Sequence, residues 1–374
     1  MATEYHRLGD YIREVNVRNR ELKVTRLLGL SMTKQFRPST SNIVGVDLSN
    51  YKIVNQNTFA FDPMSVIRVH KVPIAINDMA TPIIVSPAYY TFEVSDTSIL
   101  LPQYLMMWIM RPEFDRYADF KSDSAVRGGY DWKEFCDTPI CVPSIERQRE
   151  IVSEYETLTR RIRLNEQMIE KLEATAQALY RHTFVDNIDK QNLPQGWRIG
   201  PLFELADITM GQSPDGETYN MEGEGMIFYQ GRADFGNRFP TPRVYTTDPT
   251  RYAKEGDILL SVRAPVGDIN FAPHGCCIGR GLAALRSKNN CQSYLFYQML
   301  ELEQVFNISD DDGTVFGSIN KDDLYNIEIV IPTTQEMSLF EKQASVIDKK
   351  IKLKDKEINI LNELQSLLLA KMGK

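Results

Sequence analysis

The stretch that decides the architecture is residues 151–179, IVSEYETLTRRIRLNEQMIEKLEATAQAL. Ile151, Tyr155, Leu158, Ile162, Asn165, Ile169, Leu172, Ala176 and Leu179 follow one another in alternating steps of four and three. This is the 3.5-residue period of a coiled-coil seam, so the spacing predicts one long helix with a partner along it. From Ile151 to Leu179 such a helix rises about 42 Å at ~1.5 Å per residue. Adding 189 to each position gives Phe340, Ala344, Ile347, Ile351, Lys354, Ile358, Leu361, Gln365 and Leu368, the same seam again. Glu154, Arg161, Glu170, Lys349 and Lys356 lie off the seam, as solvated faces require. Asn165 and Lys354 are each the fifth of nine positions, so in an antiparallel pair they face one another. A polar pair there would set the register of the helices at some cost in stability.

The same offset recurs outside the helices. Ile140-Cys-Val-Pro143 matches Ile329-Val-Ile-Pro332, and Gly128 falls on Gly317, at 189; Tyr104-Leu105 falls on Tyr294-Leu295 at 190. Leu8-Gly-Asp-Tyr-Ile loosely matches Leu202-Phe-Glu-Leu-Ala. An offset of almost half of 374 residues, held over so many matches, reads as a tandem duplication. The expected fold is α+β: mixed α/β domains over 1–143 and 183–332, and two long helices over 144–182 and 333–374, packed as an antiparallel coiled coil with pseudo-twofold symmetry. Chain order favours the antiparallel arrangement, because the first helix leads into the second domain and the second helix leaves it.

Within the domains, Ile43-Val-Gly-Val-Asp47, Ser65-Val-Ile-Arg-Val69 and Gly256-Asp-Ile-Leu-Leu-Ser-Val262 read as strands. Leu100–Arg111 and Gln292–Val305 read as short helices, and Asn192-Leu-Pro-Gln-Gly-Trp197 as a linker.

Composition narrows the class. Hydrophobic residues at 43% and charged residues at 25% are globular values, and no apolar run approaches the ~18 residues of a membrane span. The start, MATEYHRLGDYIREV, carries charges where a signal peptide needs an apolar stretch. Five cysteines (136, 141, 276, 277 and 291), odd in number and irregularly spaced, read as reduced thiols. The net charge is -7, and residues 183–332, with 12 basic against 21 acidic side chains, carry the deficit.

Catalytic signatures are missing. There is no GxxxxGK[ST] phosphate loop, no GxGxxG after a strand, no GxSxG elbow and no Asn-Pro-Pro-Tyr or Asp-Pro-Pro-Tyr site. His274-Gly-Cys276-Cys277 lacks the spaced ligand pairs of a zinc site. Asp310-Asp-Asp312-Gly313 has Lys321 where a calcium loop needs an acid. Pro112-Glu113 with Asp119-Phe-Lys121 is too short a pattern to mark a nuclease. No metal site is expected.

Basic and amide residues say more. Arg13, Arg18, Arg20, Lys23, Arg26, Lys34 and Arg37 face only Glu14 and Glu21, a local +5, and Gln35, Ser39, Thr40, Ser41 and Asn42 lie among or after them. Arginine and amide side chains can read base edges bidentately, while lysines and hydroxyls hold phosphates. The DNA-contact set is therefore Arg18, Arg20, Lys23, Arg26, Lys34, Gln35 and Arg37 in the first copy. In the second it is Gln230, Arg232, Arg238, Arg243, Arg263 and Arg280.

In this order of domain, helix, domain, helix, the chain resembles the specificity subunit of type I restriction-modification systems. The resemblance rests on Val46-Asp-Leu-Ser-Asn-Tyr51 leading to Phe59-Ala-Phe-Asp-Pro-Met64, and on Gly256-Asp-Ile-Leu-Leu-Ser-Val-Arg263. It rests also on the helix entries, Gly128 to Pro143-Ser-Ile-Glu-Arg-Gln148 and Gly317 to Pro332-Thr-Thr-Gln-Glu336. Met337 departs from the pattern, standing where the first copy has Gln148. The resemblance implies a non-catalytic, cytoplasmic reader of double-stranded DNA whose two target-recognition domains each take one half of an asymmetric, bipartite site. The helical pair would set the gap, about 12 base pairs for ~42 Å at ~3.4 Å per step, and would dock two methyltransferase subunits. Restriction subunits with translocase and nuclease activity would join them. S-adenosylmethionine, ATP and Mg would sit on those partners, with no cofactor in this chain. The competing readings are a self-contained nuclease or methyltransferase and a coiled-coil scaffold for protein ligands.

Overall fold

The fold is taken from a computed structural model that describes residues 4–39, 45–123, 130–186, 188–307 and 318–373. The chain divides into two units: Met1–Asn165 with Glu357–Lys374, and Glu166–Lys356. The division runs through the two long helices, Ile145–Phe184 and Thr334–Lys371, so each unit holds one globular domain and a part of each helix.

The first unit is built on a four-stranded antiparallel sheet in the order Ile12–Glu14, Tyr90–Val94, Phe59–Phe61, Ile74–Ile76. Side chains alternate across a strand, and here both faces are covered. Phe59 and Phe61 enter the larger core with Phe92 and Phe135, while Ala60 joins a second layer of Leu28, Leu30, Val54, Ile83 and Val85. The first strand of the domain, Tyr5–Arg7, pairs with its last, Pro139–Cys141. A capping box, Asp131 with Glu134, starts the one-turn helix Trp132–Cys136 just before that last strand.

The second unit repeats this plan. Its four-stranded antiparallel sheet runs Ala206–Met210, Leu282–Ser287, Ile258–Ser261, Ile269–Phe271. Ile258 and Leu260 enter the larger core, whereas Leu259 joins a second layer with Tyr229, Cys276 and Ile278. Arg198–Pro201 pairs with Glu328–Ile331, and Asn320 with Asp323 forms the capping box of Lys321–Tyr325. In the two domains a buried tyrosine at the 190-residue offset does the same work. The Tyr104 hydroxyl donates to the Cys141 carbonyl at 3.1 Å, and the Tyr294 hydroxyl to the Val330 carbonyl at 3.4 Å. The duplication read from sparse matches is present strand for strand in the inner sheet.

The outer layers differ. The first unit has two two-stranded ribbons, Leu28–Leu30 with Phe36–Pro38 and Lys52–Val54 with Ile83–Val85. The second has a five-stranded sheet in the order Tyr219–Asn220, Tyr245–Thr246, Met226–Tyr229, Cys276–Ile278, Tyr252–Ala253, with Met226–Tyr229 and Cys276–Ile278 parallel.

The long helices pack antiparallel. In the first unit Thr159 accepts from Gln365 Nε2 at 2.7 Å, and Arg161 pairs with Glu357 at 2.6 Å, so rising numbers on one helix meet falling numbers on the other. In the second unit the Tyr180 and Phe184 rings lie 5.6 and 5.5 Å from Phe340. Every seam position named from the sequence is buried or half-buried, and Glu154, Arg161, Glu170, Lys349 and Lys356 are exposed, Arg161 while pairing with Glu357. Asn165 is 2% exposed with its amide nitrogen unpartnered, and Lys354 is half-buried.

The entry to each helix explains the departure at Met337. In the first unit the buried Gln148 side chain accepts from Leu101 N at 2.9 Å and donates to the Ile99 and Pro143 carbonyls. In the second, Met337 is buried and apolar. There the N–H of Cys291, which matches Leu101 at the 190-residue offset, donates to the Ser287 hydroxyl at 3.1 Å, while the Tyr294 N–H donates to the Glu341 carboxylate at 3.0 Å.

Two strand expectations change. Ser65–Val69 is not a strand: Asp62 accepts from Met64 N at 2.9 Å and from the Ser65 hydroxyl, and this turn starts the short helix Val66–Val69. Local side-chain capture of the backbone overrides the β preference of the valines. In Ile43–Asp47 the first two residues lie outside the described residues, and Gly45–Asp47 is a turn leading to the 3-10 turn Leu48–Asn50. The strand at Ile258–Ser261 and the helices Pro102–Met110 and Gln292–Asn307 form as read. Gly128, Gly317, residues 40–42 and Asp310–Gly313 lie outside the described residues.

Candidate nucleic-acid interface

The basic residues of the second unit fall into three groups. Arg238 is buried: its guanidinium lies 4.4 Å from the Phe296 ring centroid and is held by Asp348, by Glu173 at 3.4 Å and by the Tyr297 hydroxyl at 3.2 Å. Burial works against the charge, but Asp348, Tyr297 and Glu173 outweigh it and hold the guanidinium protonated. Arg238 therefore ties the loop after Met226–Tyr229 to both long helices and is not a DNA contact. Arg232 pairs with Asp268, and Arg243 holds the buried Asp234, which also accepts from Gln230 N at 2.7 Å. These two are exposed but engaged. Gln230, Arg263 and Arg280 are exposed, and their side chains have no partner among the described residues.

The backbone around those three is fixed. Ser261 faces Leu282 across the inner sheet, and Val262 N donates to the Gly281 carbonyl at 3.0 Å, so Arg263 and Arg280 leave adjacent strand ends. Gly279 N donates to the Tyr229 carbonyl at 2.8 Å, which places Gln230 beside them. A Cβ on Gly281 would come 2.7 Å from the Gln230 carbonyl oxygen, so only glycine allows this approach. Arg263 bridges to Ser318, and Ile319 N donates to the Val262 carbonyl at 2.9 Å. The result is a cleft of about 470 Å³ lined by Met210, Val262, Arg263, Arg280, Ser318, Ile319 and Asn320. The sequence reading missed Ser318 and Asn320; the Asn320-Lys-Asp-Asp323 capping box was the available signal.

In the first unit Lys34 is also misassigned. It is 7% exposed, in a left-handed conformation (φ 59°), and its ammonium donates to the Ile109 carbonyl and to Asp115, each at 2.7 Å. Burial lowers its pKa, with Asp115 opposing. Lys23 pairs with Glu21, Arg18 donates to the Asn50 carbonyl at 2.6 Å and Arg37 to the Leu30 carbonyl at 3.1 Å. Arg20, Arg26 and Gln35 are exposed with side chains unpartnered among the described residues. Lys34 also lines a cleft of about 450 Å³ with His70, Lys71 and Arg116, where His70 meets Asp119 at 2.9 Å. Those further cations were missed because they lie well beyond the Arg13–Arg37 run.

Among the described residues no three His, Cys, Asp or Glu side chains are placed to hold a metal ion, and Cys276 and Cys277 are buried free thiols. Burial raises the Cys276 pKa to about 12, far from a reactive thiolate. Glu113 pairs with Arg116 at 3.2 Å. No helix among the described residues is long and apolar enough to cross a membrane.

A family model described as the type I restriction modification DNA specificity domain matches residues 194–366. That part of the chain is similar to a type I DNA specificity domain. The match takes in the second globular domain, its cleft and most of the second long helix. Over 231 residues, 58% of this chain and 54% of the relative, the chain is 34% identical to the candidate MjaX type I restriction enzyme specificity subunit of Methanocaldococcus jannaschii. It is 23% identical over 187 residues, 47% of this chain and 43% of the relative, to the MjaIX specificity subunit of the same organism. The chain spans about half the length of the curated relatives it matches. The crystal structure of a type I restriction-modification S subunit from M. genitalium is similar with a TM-score of 0.59 at 14% identity, covering 99% of this chain and 95% of that one. This likeness concerns the fold alone.

Proposed function

We propose that the chain is the DNA sequence-specificity subunit of a type I restriction-modification assembly and is itself non-catalytic. The observation that carries this reading is the similarity of residues 194–366 to a type I DNA specificity domain, with an inner sheet that recurs strand for strand in the first unit. Two domains of one design with different outer layers suit two different half-sites, hence an asymmetric, bipartite target in double-stranded DNA. The antiparallel helices set the gap between half-sites and dock two methyltransferase subunits, to which restriction subunits add. The polar seam positions Asn165 and Lys354 set the register of the helices. S-adenosylmethionine, ATP and Mg belong to the partner subunits, this chain carries no cofactor, and the assembly works in the cytoplasm.

Exposed arginines and lysines would supply phosphate contacts, making binding strongly dependent on salt. Methylation of a stacked adenine would need the base flipped into the partner. The test is to copurify the chain with methyltransferase subunits and map methylated adenines by sequencing. The expected map shows two short conserved blocks of different sequence separated by a fixed gap. Random methylation, or a single uninterrupted block, contradicts the proposal.

A further inference from the structure

Base reading makes a demand that most of the basic residues here fail. An arginine that reads a base edge needs its paired N–H donors free and its backbone held, because an engaged guanidinium must first give up its partner. Arg238 is buried in an ion-pair node, and Arg232 and Arg243 are engaged with Asp268 and Asp234. Among the described residues, Arg263 and Arg280 alone of the sequence-derived arginines of the second unit combine an exposed, unpartnered guanidinium with a pinned backbone. The Arg263 carbonyl accepts from the Ser261 hydroxyl at 3.0 Å, and Arg280 N donates to the Ser213 hydroxyl at 3.3 Å. Both open on one cleft, and the Gln230 backbone lies against Gly279 and Gly281 on either side of Arg280.

We infer that Arg263 and Arg280 read guanines in the half-site of the second domain, each by a bidentate contact to O6 and N7 in the major groove. The inference rests on the proposed function and deepens it by naming the base class and the residues. The planar fork of arginine matches the two acceptors of guanine, whereas adenine presents one donor and one acceptor there and suits an amide. Gln230, whose backbone lies against Gly279 and Gly281 on either side of Arg280, carries the amide that would suit an adjoining adenine.

The experiment selects preferred duplexes from a randomised pool with the chain assembled with its methyltransferase subunits, for wild type, Arg263→Gln and Arg280→Gln. Circular dichroism and thermal melting check that each variant is folded. The expected result is that each variant loses preference for guanine at one position of one half-site by roughly 5- to 150-fold. The other half-site and the gap stay unchanged. Arg232→Gln, which removes an engaged surface cation, should weaken all sequences alike and keep the consensus. An unchanged consensus in both Gln variants, or a uniform loss across sequences with a shallower salt dependence, overturns the guanine assignment and makes the pair phosphate contacts. Absence of any consensus for the wild-type assembly instead removes the proposed function, and the inference with it.

Discussion

Arg238 and Lys34 show how much of a basic residue's role is decided by what surrounds it. Removing the Arg238 guanidinium leaves Asp348 and Glu173 facing a largely buried site without their cation. Arg238→Met should therefore destabilise the second unit by about 3–5 kcal/mol in denaturant unfolding, far more than a surface arginine would. Lys34→Met, which strands the mostly buried Asp115, should cost the first unit a similar ~3–5 kcal/mol while leaving the base preference of the assembly intact. A pH effect belongs to this scale too. Burial raises the pKa of Glu341, which receives the Tyr294 N–H. Between the unfolded value of about 4.3 and the raised folded value, the native chain holds a proton that the unfolded chain has lost. Stability from this group is thus gained as pH falls through the folded pKa and is complete below the unfolded one. The melting-temperature difference between wild type and Glu341→Gln should shift in favour of wild type as pH falls from neutrality to below the unfolded value of about 4.3; a pH-independent difference would rule this out. The residue chemistry of the site was only partly legible in the sequence. Run and residue type pointed to Arg263, Arg280 and Gln230, but not to the burial of Lys34 and Arg238. Burial depends on Asp115, Asp348 and Phe296, which lie 58 to 110 positions away in the chain and are brought close only by folding.

The long helices were the most legible elements, because a seam of alternating threes and fours constrains many positions at once. The strand at Ile258–Ser261 was legible for a related reason: with both faces covered it reads as a continuous apolar run. Val66–Val69 was not, since the decisive group is the Asp62 side chain outside the run. The small strands of the outer layers carry two to four residues each, too few for a period. Two measurements belong here. Tyr180 is fully buried against Phe184, Tyr294, Tyr297 and Phe340, and its hydroxyl donates to Gln298 at 2.9 Å. Tyr180→Ala should cost the second unit about 3–5 kcal/mol, read as a lower unfolding midpoint. Asn165→Leu places an apolar side chain at a buried, polar seam position and should raise thermal stability. If Asn165 sets register, the same change broadens the distribution of gaps in the methylation map; a single unchanged gap would assign that role elsewhere.

At the scale of the whole molecule the proposed function requires that helix length fix the distance between the two half-sites. A heptad keeps the seam in phase, so removing seven residues from each long helix, at opposed positions, preserves packing while shortening the rise by about 10 Å, or roughly three base pairs. Removing three or four residues instead would break the phase of the seam and locally over- or underwind the pair. The most direct test is a genome-wide map of methylated adenines for the assembly carrying the double heptad deletion. The account predicts both half-site sequences retained with the gap shortened by about three base pairs. Retained half-sites at the original gap would contradict it.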